Sequence, residues 1–222
     1  MKIRCLILDH DDTVVQSSKT IHYPAFLETM SVLRPHLTPP TYSEYTTYCF
    51  DPGFVRMCTD IYEFDDTEMK LEYAIWKKHT MSKIPTLYPQ MDELIRQFKQ
   101  NDGIIAVVSH SESKEIRRDY LHHFGFEPDA VFGWDQPDHM RKPQTGPAEH
   151  ILAKFRLQPS QCLMVDDMKL GLIMSKQLDI PFAAAEWSIE SKEIQEFFKS
   201  EADYYFDQIS ALADHVLKNS AR

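Results

Sequence analysis

One short stretch decides the fold of this chain: residues 3–13, with the sequence IRCLILDHDDT. Its first six residues are mostly apolar and polar residues follow at once, which is typical of a short buried strand. Three carboxylates then stand within four positions, at Asp9, Asp11 and Asp12. Their mutual repulsion needs a cation, a proton or hydration to offset it. The stretch therefore predicts a strand that presents Asp9 and Asp11 at the carboxyl edge of a parallel sheet, where open α/β folds bind their ligands.

Composition limits the kind of protein and its partners. The 222 residues are enough for one sizeable core and a smaller appended domain. A net charge of −10 argues against nucleic acid or an anionic membrane as the main partner, but not against a small anionic substrate at a local cation. The four cysteines lack metal-type spacing, and no apolar stretch approaches membrane-spanning length. Because no leader pattern precedes the first strand, we expect a cytoplasmic protein.

The region from about residue 16 to residue 85 has helical periodicity and no strand-like alternation. A first helix is predicted to carry Phe26, Met30, Leu33 and Leu37 on one face and to end at Pro39-Pro40. A second apolar face is predicted at Phe54, Val55, Cys58, Ile61 and Tyr62. A third helix is predicted over residues 66–79. We therefore expect a small helical bundle that is inserted early in the chain.

From residue 86 onward, strands and helices are predicted to alternate. The strands are expected at 104–108, 130–132, 162–165 and 181–185, and a closing amphipathic helix at 209–217. Gly103 is expected to end the helix that contains Met91. Strands separated by helices imply parallel pairing with right-handed crossovers. The predicted fold is a doubly wound, Rossmann-like α/β core made of residues 1–15 and 86–222, with a small all-helical cap domain at residues 16–85.

Polar residues stand where the predicted strands end or in the loops beyond them. If the strands are parallel, their carboxyl ends share one edge, and these residues can converge on a single site. The residues concerned are Asp9, Asp11, Ser109, Lys142, Asp166 and Asp167.

The order of these motifs resembles the haloacid dehalogenase-like (HAD) superfamily. The motifs are a hydrophobic strand with Asp-x-Asp-x-Thr, a strand with Ser, a Lys-Pro pair, and a strand with an acidic pair. Residues 166–171, DDMKLG, are similar to the form found near phosphoglycolate phosphatases and β-phosphoglucomutases, which also carry an inserted helical cap. The resemblance extends from Asp9 to the last helix. It implies a phosphoric monoester hydrolase that uses Mg²⁺.

The resemblance also implies roles for the acidic residues. Asp9 is expected to be the nucleophile that forms an aspartyl-phosphate. Asp11 is expected to protonate the leaving alcohol and then to deprotonate the attacking water. Mg²⁺ is expected between Asp9, the main-chain carbonyl of Asp11 and Asp167, with Asp166 as a ligand directly or through water. A hard cation with oxygen ligands fits this carboxylate set.

Four further residues are expected to contact the substrate. The resemblance implies that Ser109 donates to a phosphoryl oxygen and that Lys142 neutralises charge on the phosphoryl group and on Asp9. Thr13 and His110 are expected as additional contacts. The structural alternatives are a turn or cap role for Thr13, a place lining the entrance for His110, a strand-end cap for Ser109 and a solvated loop for Lys142.

Two positions depart from the family pattern. Asp12 stands where relatives usually have Gly, which permits close backbone approach and unusual dihedral angles. We expect its bulk and charge beside the phosphate to restrict the substrate range or to weaken catalysis. His10 stands where an apolar or aromatic residue is commoner. His22 lies one residue from the place where some relatives carry a histidine in the linker to the cap.

The sequence thus predicts a Mg²⁺-dependent phosphatase that acts on a small phosphorylated metabolite. We expect a monomer or a homodimer, without a nucleic-acid or membrane partner. One alternative is a phosphomutase of the β-phosphoglucomutase type, which would return the phosphate to a sugar hydroxyl inside a cap that excludes water. The other is a weakly active phosphate-binding sensor, which the crowding by Asp12 suggests.

Overall fold

A six-stranded parallel sheet lies at the centre of the computed structural model, which describes residues 2–220. The strands in chain order are β1 (Cys5–Leu8), β2 (Val15–Gln16), β3 (Thr86–Leu87), β4 (Ile104–Val108), β5 (Ala130–Phe132), β6 (Cys162–Asp166), β7 (Phe182–Ala185) and β8 (Tyr204–Phe206). The large sheet has the spatial order β5-β4-β1-β6-β7-β8, and every neighbouring pair in it is parallel. The predicted doubly wound α/β fold is confirmed.

Helices connect these strands and cover both faces of the sheet. They are α1 (Tyr23–Leu33), α2 (Tyr42–Tyr48), α3 (Phe54–Arg56), α4 (Asp66–Ser82), α5 (Met91–Gln100), α6 (Ser113–Phe124), α7 (Gly146–Phe155), α8 (Lys169–Lys176), α9 (Lys192–Glu201) and α10 (Ile209–Asn219). Within residues 2–220, none of them combines the length and the apolar character that crossing a membrane requires.

The alternation of side chains along β1 explains why this strand lies in the middle of the sheet. Leu6 and Leu8 pack on one face with residues of α5, α6 and α10, and Cys5 and Ile7 pack on the other with residues of α7, α8 and α9. All four side chains are fully buried. A buried Leu or Ile contributes roughly 1.5–3 kcal/mol relative to an exposed one. A strand that is apolar on both faces is stable only between two helical layers, as here.

A short antiparallel ribbon joins the sheet to the helical insertion. Val15 of β2 pairs with Leu87 of β3, and Gln16 pairs with Thr86. The side-chain amide of Gln16 also donates to the carbonyl of Leu87 at 2.8 Å. The sequence analysis expected no strand on either side of the insertion, because strands of two residues are too short to show alternation. The division into a core and a cap domain at residues 15 and 86 stays a prediction.

The inserted region, residues 18–82, is called the cap segment below. Its helices enclose a small aromatic core that includes Phe26, Tyr45, Tyr62 and Phe64. Helix α4 begins after Asp65, whose carboxylate accepts from the amides of the first turn, in a capping box with Glu68. Helix α2, which the sequence analysis missed, begins with the same signal at Thr41 and Glu44.

Two predictions for the cap segment are wrong. The first helix ends at Leu33, and Leu37 is exposed instead of lying on its apolar face. The guanidinium of Arg34 binds the carbonyl of Tyr62 and the carboxylate of Glu68, so the chain leaves the helix at this residue. The second apolar face is also incomplete, because the side chains expected to complete it are exposed. These are Val55 and Ile61.

The expected role of Gly103 is also wrong. Helix α5 ends at Gln100, and the left-handed residue that follows it is Asp102, with φ of 59°. Gly103 instead lies against the ring of Phe98, where a side chain would collide with it. The requirement for glycine at this position is therefore one of close packing.

Candidate active site

The carboxyl ends of β1, β4 and β6 meet at one edge of the sheet. Leu8 lies opposite Val107 on one side and Val165 on the other, and the amide of Asp9 continues the pairing by donating to the carbonyl of Val165 at 2.9 Å. Because the three strands are parallel and in register, the residues that end or follow them emerge side by side. These residues are Asp9, Ser109, Asp166 and Asp167.

A buried lysine joins two of the carboxylates. The Nζ of Lys142 lies 2.8 Å from Oδ1 of Asp9 and 2.6 Å from Oδ2 of Asp166, and all three residues are buried. Burial alone would lower the pKa of Lys142, but Asp166 and Asp9 raise it well above its ordinary value, so the ammonium group stays charged. Lys142 comes from the loop before α7, which places it across the site from the strand ends.

Asp9, Asp166 and Asp167 form a compact acidic cluster. Each offers a carboxylate oxygen, and these oxygens lie within 4.8 Å of one another. Burial, with the negative charge of Asp9, raises the pKa of Asp166 to about 7 against the opposing effect of Lys142. Burial, followed by the charges of Asp9 and Asp166, also raises the pKa of Asp167 well above its ordinary value. One lysine therefore does not balance the three carboxylates, and a further cation would stabilise their ionised forms.

Helix α8 packs so closely on this cluster that one of its positions must be glycine. A methyl group built on Gly171 would overlap the carboxylate of Asp166. Asp166 also accepts a hydrogen bond from the amide of Met168 at 2.8 Å, at the start of the same helix. The spacing between the acidic pair and Gly171 thus fixes the position of the Asp166 side chain.

Asp11 lies outside the acidic cluster in a separate set of hydrogen bonds. Its Oδ1 accepts from the hydroxyl of Ser17 at 2.6 Å and lies 2.9 Å from Nε2 of His22. Its Oδ2 accepts from Ser111 at 2.6 Å and, more weakly, from Ser109 at 3.4 Å. Burial alone would raise the pKa of Asp11, but the imidazole of His22 and the donated hydrogen bonds hold it well below its ordinary value. The two aspartates of the Asp-x-Asp motif therefore occupy different electrostatic environments.

His22 links Asp11 to the cap segment. The indole nitrogen of Trp76, on α4, donates to Nδ1 of His22 at 2.8 Å, and the two rings are stacked. Burial alone would lower the pKa of His22, whereas Asp11 raises it above its ordinary value. When the neutral ring accepts from Trp76 at Nδ1, its one proton lies on Nε2 and is donated to Asp11.

The two departures from the family pattern differ in their place at the site. Asp12 lines the cavity described below and its charge helps to raise the pKa of Asp167, whereas His10 lies against α6. Asp12 adopts a left-handed conformation with φ of 54°, and its carboxylate accepts from the amide of Ser18 at 3.1 Å, where the cap segment begins. Aspartate tolerates this conformation better than most non-glycine residues do. His10 is buried, and its Nε2 lies 3.1 Å from the carboxylate of Asp119 on α6.

The remaining predicted site residues lie around the cluster in different ways. The hydroxyl of Thr13 donates to Asp167 at 3.3 Å, and Thr13 is fully buried and does not line the cavity described below. Ser109 and His110 do line it. An imidazole nitrogen of His110 lies 3.1 Å from the carbonyl of Lys142. The structure thus brings Asp9, Asp11, Ser109, His110, Lys142, Asp166 and Asp167 to one place, with Thr13 behind it.

Several residues at the site were missed by the sequence analysis. Ser111 follows Ser109 by two positions in the same loop after β4, and this second hydroxyl beside a predicted phosphate contact was a usable signal. Ser17 and Trp76 had no comparable signal. Their places depend on how the cap segment folds back over the sheet, which periodicity does not describe.

Contacts across the cleft hold the cap segment against the sheet edge. Glu112, which precedes α6, binds the ammonium of Lys77 through both carboxylate oxygens at 2.9 Å and accepts from the hydroxyl of Tyr73. On the opposite side, Lys169 of α8 lies 3.0 Å from Asp51. The structure therefore has the cap segment closed over the site.

The closed arrangement encloses a cavity of about 690 Å³ between the cap segment and the sheet edge. Its floor carries Asp9, Asp11, Ser109, Lys142 and Asp167. The cap segment supplies its roof, which carries several aromatic side chains beside polar ones, and further walls come from Trp134 and from residues 168–170 and 188–190. A substrate would thus meet charged and hydroxyl groups at one end and ring faces at the other.

Comparison with known proteins gives a family and a set of relatives. A family model described as haloacid dehalogenase-like hydrolase matches residues 6–185. A phosphoglycolate phosphatase of Vibrio vulnificus, strain CMCP6, is 26% identical over 143 residues. These residues make up 63% of this chain and span 60% of the length of that relative.

Solved structures resemble the whole chain. A protein from Haemophilus somnus 129PT, named as a predicted phosphoglycolate phosphatase, has a TM-score of 0.77 at 18% identity and covers 97% of this chain and 98% of that one. A mutant of CbbY from Rhodobacter sphaeroides, in complex with xylulose-(1,5)bisphosphate, has a TM-score of 0.69 at 17% identity and covers 95% and 96%. At these identities the likeness is one of fold. Because the family model also covers most of the sequence, the chain belongs to the haloacid dehalogenase-like hydrolase family.

Proposed function

We propose that this protein is a Mg²⁺-dependent phosphatase that hydrolyses a small phosphorylated metabolite through an aspartyl-phosphate on Asp9. The observation that carries the proposal is that the two aspartates of the Asp-x-Asp motif lie in different environments. Asp9 lies in a buried acidic cluster beside Lys142, whereas Asp11 lies in a separate set of hydrogen-bond donors. A nucleophile and an acid–base group need such different environments.

The donor set of the acidic cluster fits Mg²⁺. All side-chain donors are carboxylate oxygens, which hard cations prefer, and the raised pKa values of Asp166 and Asp167 reflect unbalanced negative charge. The residues that would hold the ion are Asp9, Asp166, Asp167 and the main-chain carbonyl of Asp11. When bound, Mg²⁺ supplies positive charge that allows an anionic nucleophile to approach an anionic phosphate.

The chain's own residues account for the remaining chemistry. A carboxylate oxygen of Asp9 attacks phosphorus, the bond from phosphorus to the alcohol oxygen breaks, and Asp11 donates a proton to that oxygen. Lys142 neutralises charge on Asp9 and on the phosphoryl oxygens, and Ser109 donates to one of them. Asp11 then takes a proton from water as the water oxygen attacks phosphorus. This step releases inorganic phosphate and restores Asp9.

The pKa of Asp11 suits both of its roles. Donors from His22 and the serines hold this pKa well below its ordinary value, which favours the carboxylate that activates water. A dianionic phosphate bound beside Asp11 raises its pKa, because a like charge disfavours ionisation. The substrate itself therefore promotes the protonated form that the first step needs.

The phosphate-sensor alternative rests on crowding of the phosphate by Asp12. Its carboxylate accepts from the amide of Ser18 but Asp12 also lines the cavity, so turnover of a phosphate ester is what separates the enzyme from the sensor. The phosphomutase alternative keeps the same nucleophile and differs only in what receives the phosphate. Analysis of the products by phosphorus NMR would distinguish transfer to a hydroxyl from transfer to water.

The test of the proposal is Mg²⁺-dependent release of phosphate from a panel of phosphomonoesters. We expect Asp9→Asn to lower kcat by at least about 10³-fold, because the amide is a poor nucleophile. The matched control is Asp214→Asn, at an exposed position of α10, which should keep wild-type activity. Equal activities for the wild type and Asp9→Asn would contradict the assignment of the nucleophile. No turnover of any ester would contradict the proposed function.

A further inference from the structure

The cavity is much larger than a phosphoryl group. Its volume of about 690 Å³ lies within the range of roughly 300–1,000 Å³ that proteins use for ligands of drug size. Asp9 and Lys142 occupy only its floor, so a two-carbon acid phosphate would leave most of the space to water. The space above the floor therefore points to a substrate with a bulkier body.

Aromatic side chains of the cap segment surround this upper space. They come from α2, α3 and α4 and are Tyr42, Tyr45, Phe54, Tyr73 and Trp76. The rings of Tyr73 and Trp76 are nearly parallel, at 29°, with centroids 5.7 Å apart. Flat apolar rings pack well on such surfaces.

One carboxylate interrupts this apolar wall. Met69, Glu72, Tyr73 and Trp76 are spaced along one face of α4, and all four line the cavity. Glu72 is only 5% exposed, and among residues 2–220 nothing forms a hydrogen bond or an ion pair with it. Glutamate is almost never buried to this extent without a partner. The missing partner is therefore expected on the molecule that fills the cavity.

Among residues 2–220, Glu72 forms no hydrogen bond or ion pair with the residues at the phosphate end of the cavity. Trp76 contacts His22, which in turn contacts Asp11 at the floor. Glu72 precedes Trp76 by one helical turn, roughly 6 Å along the axis of α4. Arg56 and Lys70 are basic residues of the cap segment that also line the cavity. Both are exposed, and neither forms an ion pair with Glu72. A molecule that reaches both Asp9 and Glu72 needs a body between its phosphate and its distal polar group.

We propose that Glu72 selects the substrate, which is the phosphomonoester of an aromatic-ring compound with a primary amine on the side of the ring away from the phosphate. This inference rests on the proposed phosphatase function. The rings of the cap segment hold the aromatic body, and Glu72 accepts from the ammonium group. A charged donor gives a carboxylate in such a site its strongest hydrogen bond.

The ionisation of Glu72 is consistent with a carboxylate that lacks a cationic partner in the free protein. Burial raises its pKa to about 7, with His22 acting in the opposite direction. Between its ordinary value and about pH 7, the unfolded chain ionises this group while the folded chain does not, so folding is penalised increasingly as pH rises. A bound ammonium group removes this penalty by favouring the charged carboxylate.

Four phosphate esters separate the ring from the amine. They are phosphoglycolate (neither feature), ethanolamine phosphate (amine only), benzyl phosphate (ring only) and 4-(aminomethyl)benzyl phosphate (both). For the wild type we expect kcat/KM of the last to exceed that of benzyl phosphate by about 10- to 100-fold, the range of a hydrogen bond to a charged group. Glu72→Gln should abolish most of this ratio, and Glu63→Gln, an exposed glutamate outside the cavity, should keep it.

The outcomes distinguish this inference from the proposed function. Turnover of benzyl phosphate that depends on Asp9, without a preference for the amine, would overturn the substrate class alone. If a hexose phosphate were the best substrate, the proposed substrate class would also be wrong, while the phosphatase function would stand. If no ester is hydrolysed, the phosphatase proposal fails, and calorimetric binding of 4-(aminomethyl)benzylphosphonate to the wild type and to Glu72→Gln still tests the pocket. Equal affinities of these two proteins would overturn the role of Glu72.

A stability measurement checks that Glu72 is unpaired in the free protein. We expect Glu72→Gln to have a higher Tm than the wild type at pH 8. The difference should vanish below about pH 4.5, where Glu72 is protonated in both the folded and the unfolded chain. A lower Tm for the variant at pH 8 would reveal a structural partner of Glu72 and would overturn the inference.

Discussion

At the scale of single residues, Asp12 has a structural role at the junction between the sheet and the cap segment. Its φ of 54° is the left-handed conformation for which glycine is the usual choice. Its carboxylate accepts from the amide of Ser18, six residues further on. The aspartate therefore combines the backbone shape that glycine provides with a hydrogen bond that glycine cannot make.

Replacing Asp12 separates these two contributions. Asp12→Gly and Asp12→Ala both lose the hydrogen bond to Ser18, but only alanine carries a Cβ into the left-handed conformation. We expect Asp12→Ala to be less stable than Asp12→Gly by about 1 kcal/mol in the free energy of unfolding. Urea denaturation of the two variants measures the difference. Equal stabilities, or a more stable alanine variant, would show that the backbone shape at this position is not what matters.

At the scale of elements, the packing of α8 on the end of β6 fixes the acidic cluster. Gly171 is the point of closest approach, because a methyl group there would overlap Asp166. We expect Gly171→Ala to lower the free energy of unfolding by roughly 1–3 kcal/mol, the usual cost of overpacking. Displacement of Asp166 should also lower kcat/KM by about 10- to 100-fold.

The matched control for Gly171→Ala lies on the same helix. Lys176 is exposed at the end of α8, where its ammonium pairs with Glu201. Lys176→Ala should leave both unfolding and phosphate release within about twofold of the wild type, since exposed ion pairs contribute little. If Gly171→Ala behaved like this control, the close packing would have no influence on the site.

The elements also explain which site residues the sequence could predict. Asp9, Ser109, Asp166 and Asp167 follow or end apolar strands, and parallel pairing brings strand ends together whatever the side chains of the loops are. Their convergence is therefore a consequence of topology. Glu72 lies on a helix of the cap segment, where the direction of an isolated carboxylate depends on how α4 packs over the sheet. No local pattern contains that information.

Errors in the predicted helices have the same origin. Leu37 matches the helical spacing of α1, but Arg34 ends the helix through contacts with Tyr62 and Glu68, which lie about thirty residues further along the chain. In the sheet, by contrast, the buried strands were predictable, because continuous apolar runs bounded by polar residues leave few alternatives.

At the scale of the whole molecule, the acidic cluster predicts a stability that depends on divalent cations. The three clustered carboxylates are buried, and Lys142 alone does not balance their charge. We expect MgCl₂ to raise the Tm of the wild type, with a stabilisation of about 2.7 kcal/mol when its concentration is 100-fold above Kd. KCl at matched ionic strength should have a much smaller effect.

Asp167→Asn provides the comparison for this experiment. Removing one carboxylate relieves repulsion in the metal-free protein and weakens the binding of the cation. We expect the variant to have a higher Tm than the wild type in EDTA and a smaller response to MgCl₂. If both proteins respond equally to MgCl₂, the ion stabilises the fold at another place.

The ribbon of β2 and β3 has a consequence for the modularity of the molecule. Gln16 and Thr86 are directly paired, so the chain leaves the core and returns to it at neighbouring positions. Paired residues of antiparallel strands have Cα atoms only about 5 Å apart, a gap that a hairpin turn of two residues closes. The whole insertion could therefore be exchanged for a turn, or for the insertion of a relative, without moving either end of the sheet. In this architecture, a new specificity can be grafted at one junction while the acidic cluster stays in place.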